Sequence, residues 1–486
     1  MFFTSVLWLF SIMAMGQSSL QLSLAEALHI GREQSLVSKE VHNNMRISYW
    51  QYRNYRASLF PNVYLEGTLP SLNRSLSQYQ QENGIYKFIP NNYIRESLGL
   101  TVSQAIPFTG GQVYLQSSVE RMDQLDKPRT GSFLAIPFTF TLVQPVFSYN
   151  PYKWAKKIEP LKYENSMQNY VASVEKINIT TVQYYFELLL SKSNLDIARQ
   201  NSDNSSKLYD IALAKKNIGT ISDDDIMQLN VSRLNADANL ITAENDYSDK
   251  MNMLRNYLGF EEYMELVPEI PEAKVIPEIG ADIIREKAYG NNPIYNDFKV
   301  RLLEAESNVV KAKREKAPDV QLYVSIGNTG SDHNFFDSYT NLQNRQIAEI
   351  GISIPILDWG RRKGNLELAK SKYSLVEARV SREENDFKES VRSLIANIVN
   401  QPKLLEIYRI ADIEAQKRYD IALERFTLGN ISVIDMNYAE QEKDKARKNY
   451  VYQLYLSWLY YYNLRYITLY DFERGCDLKY EDYVNL

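Results

Sequence analysis

The pentapeptide Tyr209-Asp210-Ile211-Ala212-Leu213 recurs unchanged as Tyr419-Asp420-Ile421-Ala422-Leu423, and other residues repeat at the same spacing of 210. Gly219 answers to Gly429, Ile221-Ser222 to Ile431-Ser432, Asp225 to Asp435, Leu254-Arg255 to Leu464-Arg465, and Pro145 to Pro355. Pro61-x-Val63-x-Leu65 returns as Pro318-x-Val320-x-Leu322 at a spacing of 257. Self-similarity of this kind means that one structural unit occurs twice. The halves are read as 17–268 and 278–486, joined by a Pro-rich linker at 269–277. The two spacings differ by 47, so the first half carries about 47 additional residues between Leu69 and Ile136.

Each half reads as helix, strands, long helix, turn, long helix. Residues 24–57 and 279–316 are polar and helix-favouring, with apolar residues three and four apart. No Pro or Gly occurs from Leu161 to Ile218, and only Gly364 and Pro402 from Arg361 to Leu428. At 1.5 Å per residue such stretches make rods of roughly 85–100 Å. Each rod ends at a glycine (Gly219, Gly429) suited to a helix C-terminus. A partner helix then returns, from Ser222 to about Leu258 and from Ser432 to about Leu469. The helical hairpins therefore cover about 150–260 and 360–470, and Pro402 predicts a kink in the second rod.

Strand signals lie at about 61–147 and 318–357. Val320, Leu322, Val324 and Ile326 alternate with polar neighbours, as do Ile350, Ile352, Ile354 and Ile356. The first half shows Val63 and Leu65, then Phe138, Phe140 and Leu142. Its excess holds another pair, Leu98–Val102 and Val113–Val119, joined around Pro107-Phe108-Thr109-Gly110-Gly111. Alternation means one apolar face and one wet face. A soluble sandwich and a membrane barrel both satisfy it. Rods of this length have no place in a compact sandwich; the alternative to a channel is an exported scaffold or adhesin whose strands form a soluble sandwich and whose long hairpins act as spacers.

The N-terminus places the chain in the export route. Phe2 to Met15 is almost wholly apolar and ends in Ala14-Met15-Gly16, the layout of a signal peptide over 1–16. No Cys follows, so a lipid anchor has no attachment point. No later run of 18 apolar residues exists, so an exported chain enters a membrane only as β-strands. Charges nearly balance, 55 Lys and Arg against 60 Asp and Glu, which argues against nucleic acid. One Cys and three scattered His exclude a disulfide scaffold and a Cys/His metal site. No nucleophile–base pair or phosphate loop appears, so neither an enzyme nor a cofactor is expected.

Four to six strands per chain cannot close a barrel, since the smallest takes eight and an open edge in hydrocarbon leaves backbone groups unpaired. Identical copies must pool them. Three copies of four strands close as twelve, and three of six as eighteen.

The duplicated layout, the segment Ile354-Pro355-Ile356-Leu357-Asp358-Trp359-Gly360-Arg361-Arg362 and the paired turns resemble the TolC-type outer-membrane efflux protein family over essentially the whole mature chain. The resemblance implies a mixed α and β membrane protein built from a tandem duplication. In such a protein three copies share a transmembrane β-barrel above a coiled-coil-like α-helical tunnel through the periplasm. It implies a homotrimer in outer-membrane lipid, a periplasmic adaptor, and an inner-membrane transporter of the RND, ABC or MFS type. The family's adaptor contacts fall on Ile218-Gly219-Thr220 and Leu428-Gly429-Asn430. Members of the family carry an Arg and a second Asp at the second turn where this chain has Ile431 and Tyr438, so an Arg-based closing link is absent.

The expected gate is a ring of carboxylates. Ser222-Asp223-Asp224-Asp225 and Ser432-Val433-Ile434-Asp435 each place a carboxylate three residues after a Ser. One role for that spacing is to cap the returning helix. Under threefold symmetry Asp225 and Asp435 also become six negative charges around the mouth, strengthened by Asp223 and Asp224, and a narrow ring of this sign prefers cations.

Overall fold

The structure is a computed structural model that describes residues 19–82, 84–126, 128–217, 221–261, 264–428 and 430–484. The signal segment 1–16 lies outside the described residues. Two compact units are present: one combines 19–46, 166–293 and 384–484, the other 47–165 and 294–383.

The first unit is helical. It holds most of two long hairpins, α3 (Pro151–Asn217) returning as α4 (Asp223–Leu258), and α7 (Arg361–Thr427) returning as α8 (Val433–Thr468); residues 151–165 and 361–383 belong to the second unit. Both outgoing helices have 67 residues and both returning helices 36, so the duplication is kept residue for residue at a spacing of 210. Repeat partners also do the same jobs. Leu254 and Leu464 are both fully buried. The Ser202 hydroxyl donates to Asp237 at 2.7 Å, and its repeat partner Asp412 accepts from Arg447, the partner of Asp237, at 3.1 Å. Pro402 does not break α7, which runs through it. Beside it, buried Gln401 donates to the Gln453 carbonyl of α8 at 2.8 Å and anchors the passage.

The expected single helices at 24–57 and 279–316 are each two: α1 (Leu24–Glu33) and α2 (Leu36–Ala57), then α5 (Ala281–Asn291) and α6 (Ile294–Glu315). Buried Ser35 supplies the first break, accepting from the Ser38 amide at 3.0 Å as a new helix start. Pro293 supplies the second, since the residue before a proline is pushed out of helical geometry; Asn292 is extended at ψ 130°. Strand β1 (Ser19–Leu22) pairs in parallel with β6 (Glu265–Pro268), and the Tyr185 hydroxyl donates to Leu22 and Glu269 carbonyls beside them. The core here gathers Leu22, Leu28, Val182, Phe186, Leu188, Leu254, Leu258 and Leu454. The linker after Pro268 is packed: Ile276 sits among Ile284, Leu394, Ile398 and Leu464, and the Trp458 indole donates to the Glu272 carbonyl.

A second polar core holds α3, α8 and the C-terminal segment together. The Glu175 carboxylate is fully buried and receives both sides of the Arg465 guanidinium, at 2.9 and 3.1 Å. Tyr483 and Asn178 donate to the same carboxylate, and Arg465 also reaches Asp471.

The second unit carries one six-stranded sheet, antiparallel throughout, in the order β2 (Asn62–Gln80), β3 (Tyr86–Ile106), β4 (Gly111–Gln124), β5 (Thr130–Pro145), β7 (Asp319–Asp332), β8 (Gln343–Ser353). The four connections to helices α2, α3, α6 and α7 all leave from the same end. A bulge between Ala135 and Thr139 brings strand backbone so close to Gly327 that a Cβ there would lie 2.5 Å from the Phe138 oxygen. The register assigns the faces. Val63, Val102, Leu115, Phe140 and Ile326 share one face, as do Leu65, Leu100, Leu142, Val324 and Ile350. The opposite face carries Thr101, Gln116, Thr139, Thr141 and Ser325. The apolar face is the open one: Leu100 is 46% and Phe140 43% exposed, whereas Thr139 is 5% and Ser325 1% exposed. The polar face lines a cavity of about 530 Å³ with Glu66, Gln116, Glu120, Thr141, Tyr323 and Arg345.

Candidate functional site

Both helical returns begin with a serine cap. Ser222 Oγ accepts the Asp225 amide at 3.1 Å and donates to the Asp225 carboxylate at 2.6 Å. Ser432 Oγ does the same with Asp435, at 3.1 and 2.7 Å, and the Asp435 carboxylate also accepts the Ser432 amide at 3.3 Å. The second turn thus forms the complete reciprocal box and the first only half of it. Hydrogen bonds from the Ser432 hydroxyl and amide hold the Asp435 carboxyl below its usual range. Asp223 pairs with Lys216 across the turn at 2.6 Å, while Asp224 is exposed. These three residues of the first turn and Asp435 of the second are therefore acidic groups at helix N-termini, and Asp223, Asp225 and Asp435 are held by local partners.

Under the caps lies one apolar cluster from both hairpins: Leu208, Ala212, Ile226 and Leu229 with Tyr419, Phe426, Val433 and Met436. Ile431 packs against it, and the exposed Tyr438 is covered by the Arg418 guanidinium, which also pairs with Glu442. Ile431 thus makes an apolar contact and Tyr438 a cation–π pair. Ile218, Gly219, Thr220 and Gly429 lie outside the described residues. Leu428 and Asn430 are exposed, and the Asn430 amide closes onto the Arg425 carbonyl at 2.8 Å, a helix-ending bond of the Schellman kind.

A polar network joining the hairpins above this cluster was not expected from the sequence. The Lys443 ammonium, 5% exposed, lies 4.1 Å from the centre of the Tyr419 ring. The Tyr419 hydroxyl accepts from Asn204 at 2.7 Å, and Asp444 accepts from Asn201 at 2.6 Å, so α3 is tied to both α7 and α8. A signal existed: Arg233 stands over Tyr209 at 5.4 Å, and those two residues are the repeat partners of Lys443 and Tyr419.

Glu440 adjoins this network. Burial, reinforced by the Asp444 carboxylate and partly offset by Lys443, pushes its carboxyl up to about 7 from 4.5. Asp246 of α4 and Lys448 of α8 line the same cavity of about 660 Å³. A folded-state value above the unfolded one means that protonated Glu440 stabilises the packing fully below the unfolded value. That contribution is lost as pH rises through about 7. Glu440→Gln fixes the neutral form, so its thermal midpoint is expected to stay level between mildly acidic and mildly alkaline pH where that of the wild type falls. Calorimetry across that range checks it, and parallel curves would refute it.

No helix among the described residues is long and apolar enough to cross a membrane, and no group of His, Cys, Asp or Glu among them could hold a metal ion. His29, His42 and His333 sit apart, against Glu33, Tyr170 and the Gly131 carbonyl.

Comparison with known proteins agrees with this architecture. The chain is similar to the outer membrane protein VceC of Vibrio cholerae, at 13% identity and a TM-score of 0.64, over 94% of this chain and 97% of that one. It is similar to the CmeC outer membrane channel of Campylobacter jejuni at 14% identity and a TM-score of 0.63, over 92% and 85%. Both likenesses concern the fold. In sequence it is 23% identical over 222 residues to the toxin and drug export protein A of Aggregatibacter actinomycetemcomitans, so the chain spans about half the length of the curated relative it matches. The outer membrane efflux protein model matches residues 110–260 and 284–456, which take in β4, β5 and the first hairpin, then β7, β8 and most of the second hairpin. With its duplicated hairpins, six-stranded sheet and this match, the chain belongs to the outer membrane efflux protein family.

Proposed function

We propose that three copies of this chain form a passive export channel, with a shared β-barrel in the outer membrane and the helical hairpins forming a tunnel into the periplasm. The observation that carries this reading is the inverted sheet, with Leu100, Phe140 and Ile326 open to the surroundings and Thr139, Thr141 and Ser325 sheltered. A soluble sandwich buries its apolar face, whereas a barrel wall turns it to lipid and its polar face to the lumen. Among the described residues both outer strands, β2 and β8, lack a second partner, which supports closure by further copies rather than within one chain. Exposed Met227, Val231, Leu234 and Ile241 on α4 follow coiled-coil spacing, which supports hairpin packing between neighbouring copies.

The signal segment 1–16 delivers the chain to the periplasm. An adaptor docks at the turns 218–220 and 428–430 and opens them, linking the channel to an inner-membrane pump of the RND, ABC or MFS type. Selection of cargo rests with that pump; the export role in the name of the Aggregatibacter relative supports the direction of transport. Fractionation tests the channel: the protein is expected in the detergent-extracted outer membrane as a trimer that conducts in planar bilayers. A detergent-free, non-conducting monomer would sink the reading.

Asp225 and Asp435 from three copies ring the periplasmic mouth, with Asp223 and Asp224 adding to the field. Asp225→Asn with Asp435→Asn keeps an oxygen on each capping serine, so the trimer is expected to survive. Its reversal potential in a salt gradient should shift towards that of an unselective pore, and divalent block should weaken. Unaltered selectivity would assign these carboxylates to capping alone.

A further inference from the structure

We propose that β3 and β4 are full members of the barrel wall, so that three copies close eighteen strands rather than twelve. This rests on the trimeric channel reading above. Topology is the first support. The additional pair lies inside the sheet, not at its edge: β3 is the one partner of β2, and β4 the one partner of β5 on that side. A twelve-stranded wall would have to break both ladders and pair β2 with β5 anew.

The faces agree. Leu98 stands opposite Val119 and Val102 opposite Leu115, so the apolar belt runs through the additional pair without a gap from Val63 to Ile326. Depth agrees as well. At the end from which the helices leave, the connections carry exposed aromatic rings: Phe60 before β2, Phe147 after β5 and Trp359 before α7. Phe108, in the turn between β3 and β4 at that same end, is 93% exposed. A girdle of such rings marks the membrane interface of a barrel. The additional turn therefore sits at the same level as the others, as a wall element does and a lumenal plug or surface flap does not. The edges also match. Five antiparallel steps separate β2 from β8, so they run in opposite directions, and β8 of one copy continues the ladder onto β2 of the next without a parallel pair.

With strands about 4.8 Å apart and tilted about 40°, eighteen give a wall about 36 Å across between backbones, against about 24 Å for twelve. The outer-membrane section is then too wide to size the cargo, and the narrowest passage falls to the hairpin turns.

Cysteine labelling tests the assignment in the full-length protein, with the native Cys476 replaced by Ser. Gln116→Cys, on the polar face of β4, is expected to react with a membrane-impermeant maleimide and to lower the channel's conductance. Leu115→Cys, next to it on the apolar face, is expected to react with that reagent only after the membrane is dissolved. Electron cryomicroscopy of the detergent-purified trimer is expected to count eighteen strands in cross-section. A conducting trimer with twelve strands, or equal aqueous labelling at both positions, would overturn the eighteen-stranded wall and leave the channel reading standing. A protein that neither trimerises nor conducts would overturn the channel reading itself.

Discussion

Leu100→Arg is expected to abolish the membrane-inserted trimer, whereas Thr101→Arg, one residue away, leaves it assembled with altered conductance. Leu100 lies mid-strand on the exposed apolar face and Thr101 on the sheltered polar one. An arginine turned to lipid near the bilayer midplane costs about 2–4 kcal/mol. The penalty enters once per copy, so a trimer meets it three times, which is comparable with the whole stability of an ordinary domain. Facing the lumen, the same side chain stays in water and adds a positive ring to the pore. Heat-resistant trimer on a gel and single-channel conductance separate the outcomes. Equal assembly of both variants would mean that the apolar face does not meet lipid.

The second large effect concerns the helical unit. Glu175→Ala is expected to destabilise it by about 3–5 kcal/mol, because removing one member of a buried ion pair leaves the other charged and unsolvated. Here Arg465, itself only 13% exposed, is left with Asp471 as its remaining counter-charge, and Tyr483 and Asn178 lose their acceptor at the same time. Denaturant unfolding of the detergent-solubilised protein measures it. A matched triple variant, Glu175→Leu with Arg465→Met and Asp471→Asn, is expected to recover most of the loss, since no buried charge is then left without its counter-charge. Failure of that rescue would mean that the cluster specifies geometry which packing alone does not replace.

Much of this was legible in the chain because duplication writes each feature twice. The spacing of 210 carries through to helices of 67 and 36 residues in both halves, and the serine three residues before Asp225 and Asp435 is a cap in both. The breaks at Ser35 and Pro293 were missed because each is decided locally, by one hydroxyl and one ring, within segments whose apolar spacing runs on unbroken. The distal parts of β2 and β3 escaped notice because the apolar residues of Asn73–Gln80 and Tyr86–Asn92, among them Leu76, Phe88 and Ile89, fall on both faces and give no sustained alternation. Glu440 was invisible for another reason. A carboxylate on a polar helix reads as solvated, and only the packing of α8 against its neighbours removes the water.

Strands β2 and β3 stay paired from Arg74–Asn92 to Gln80–Tyr86, beyond the last pairing of β3 with β4 at Tyr93–Gln124. That leaves a two-stranded ribbon standing free of the rest of the sheet, at the end away from the helices. In the channel proposed above this ribbon would stand on the outer side of the membrane, where antibodies, bacteriophages and proteases find their targets. A surface displayed in this way answers to what the cell meets and not to what it expels, so in the proposed channel changes in the ribbon would leave the wall and the passage untouched.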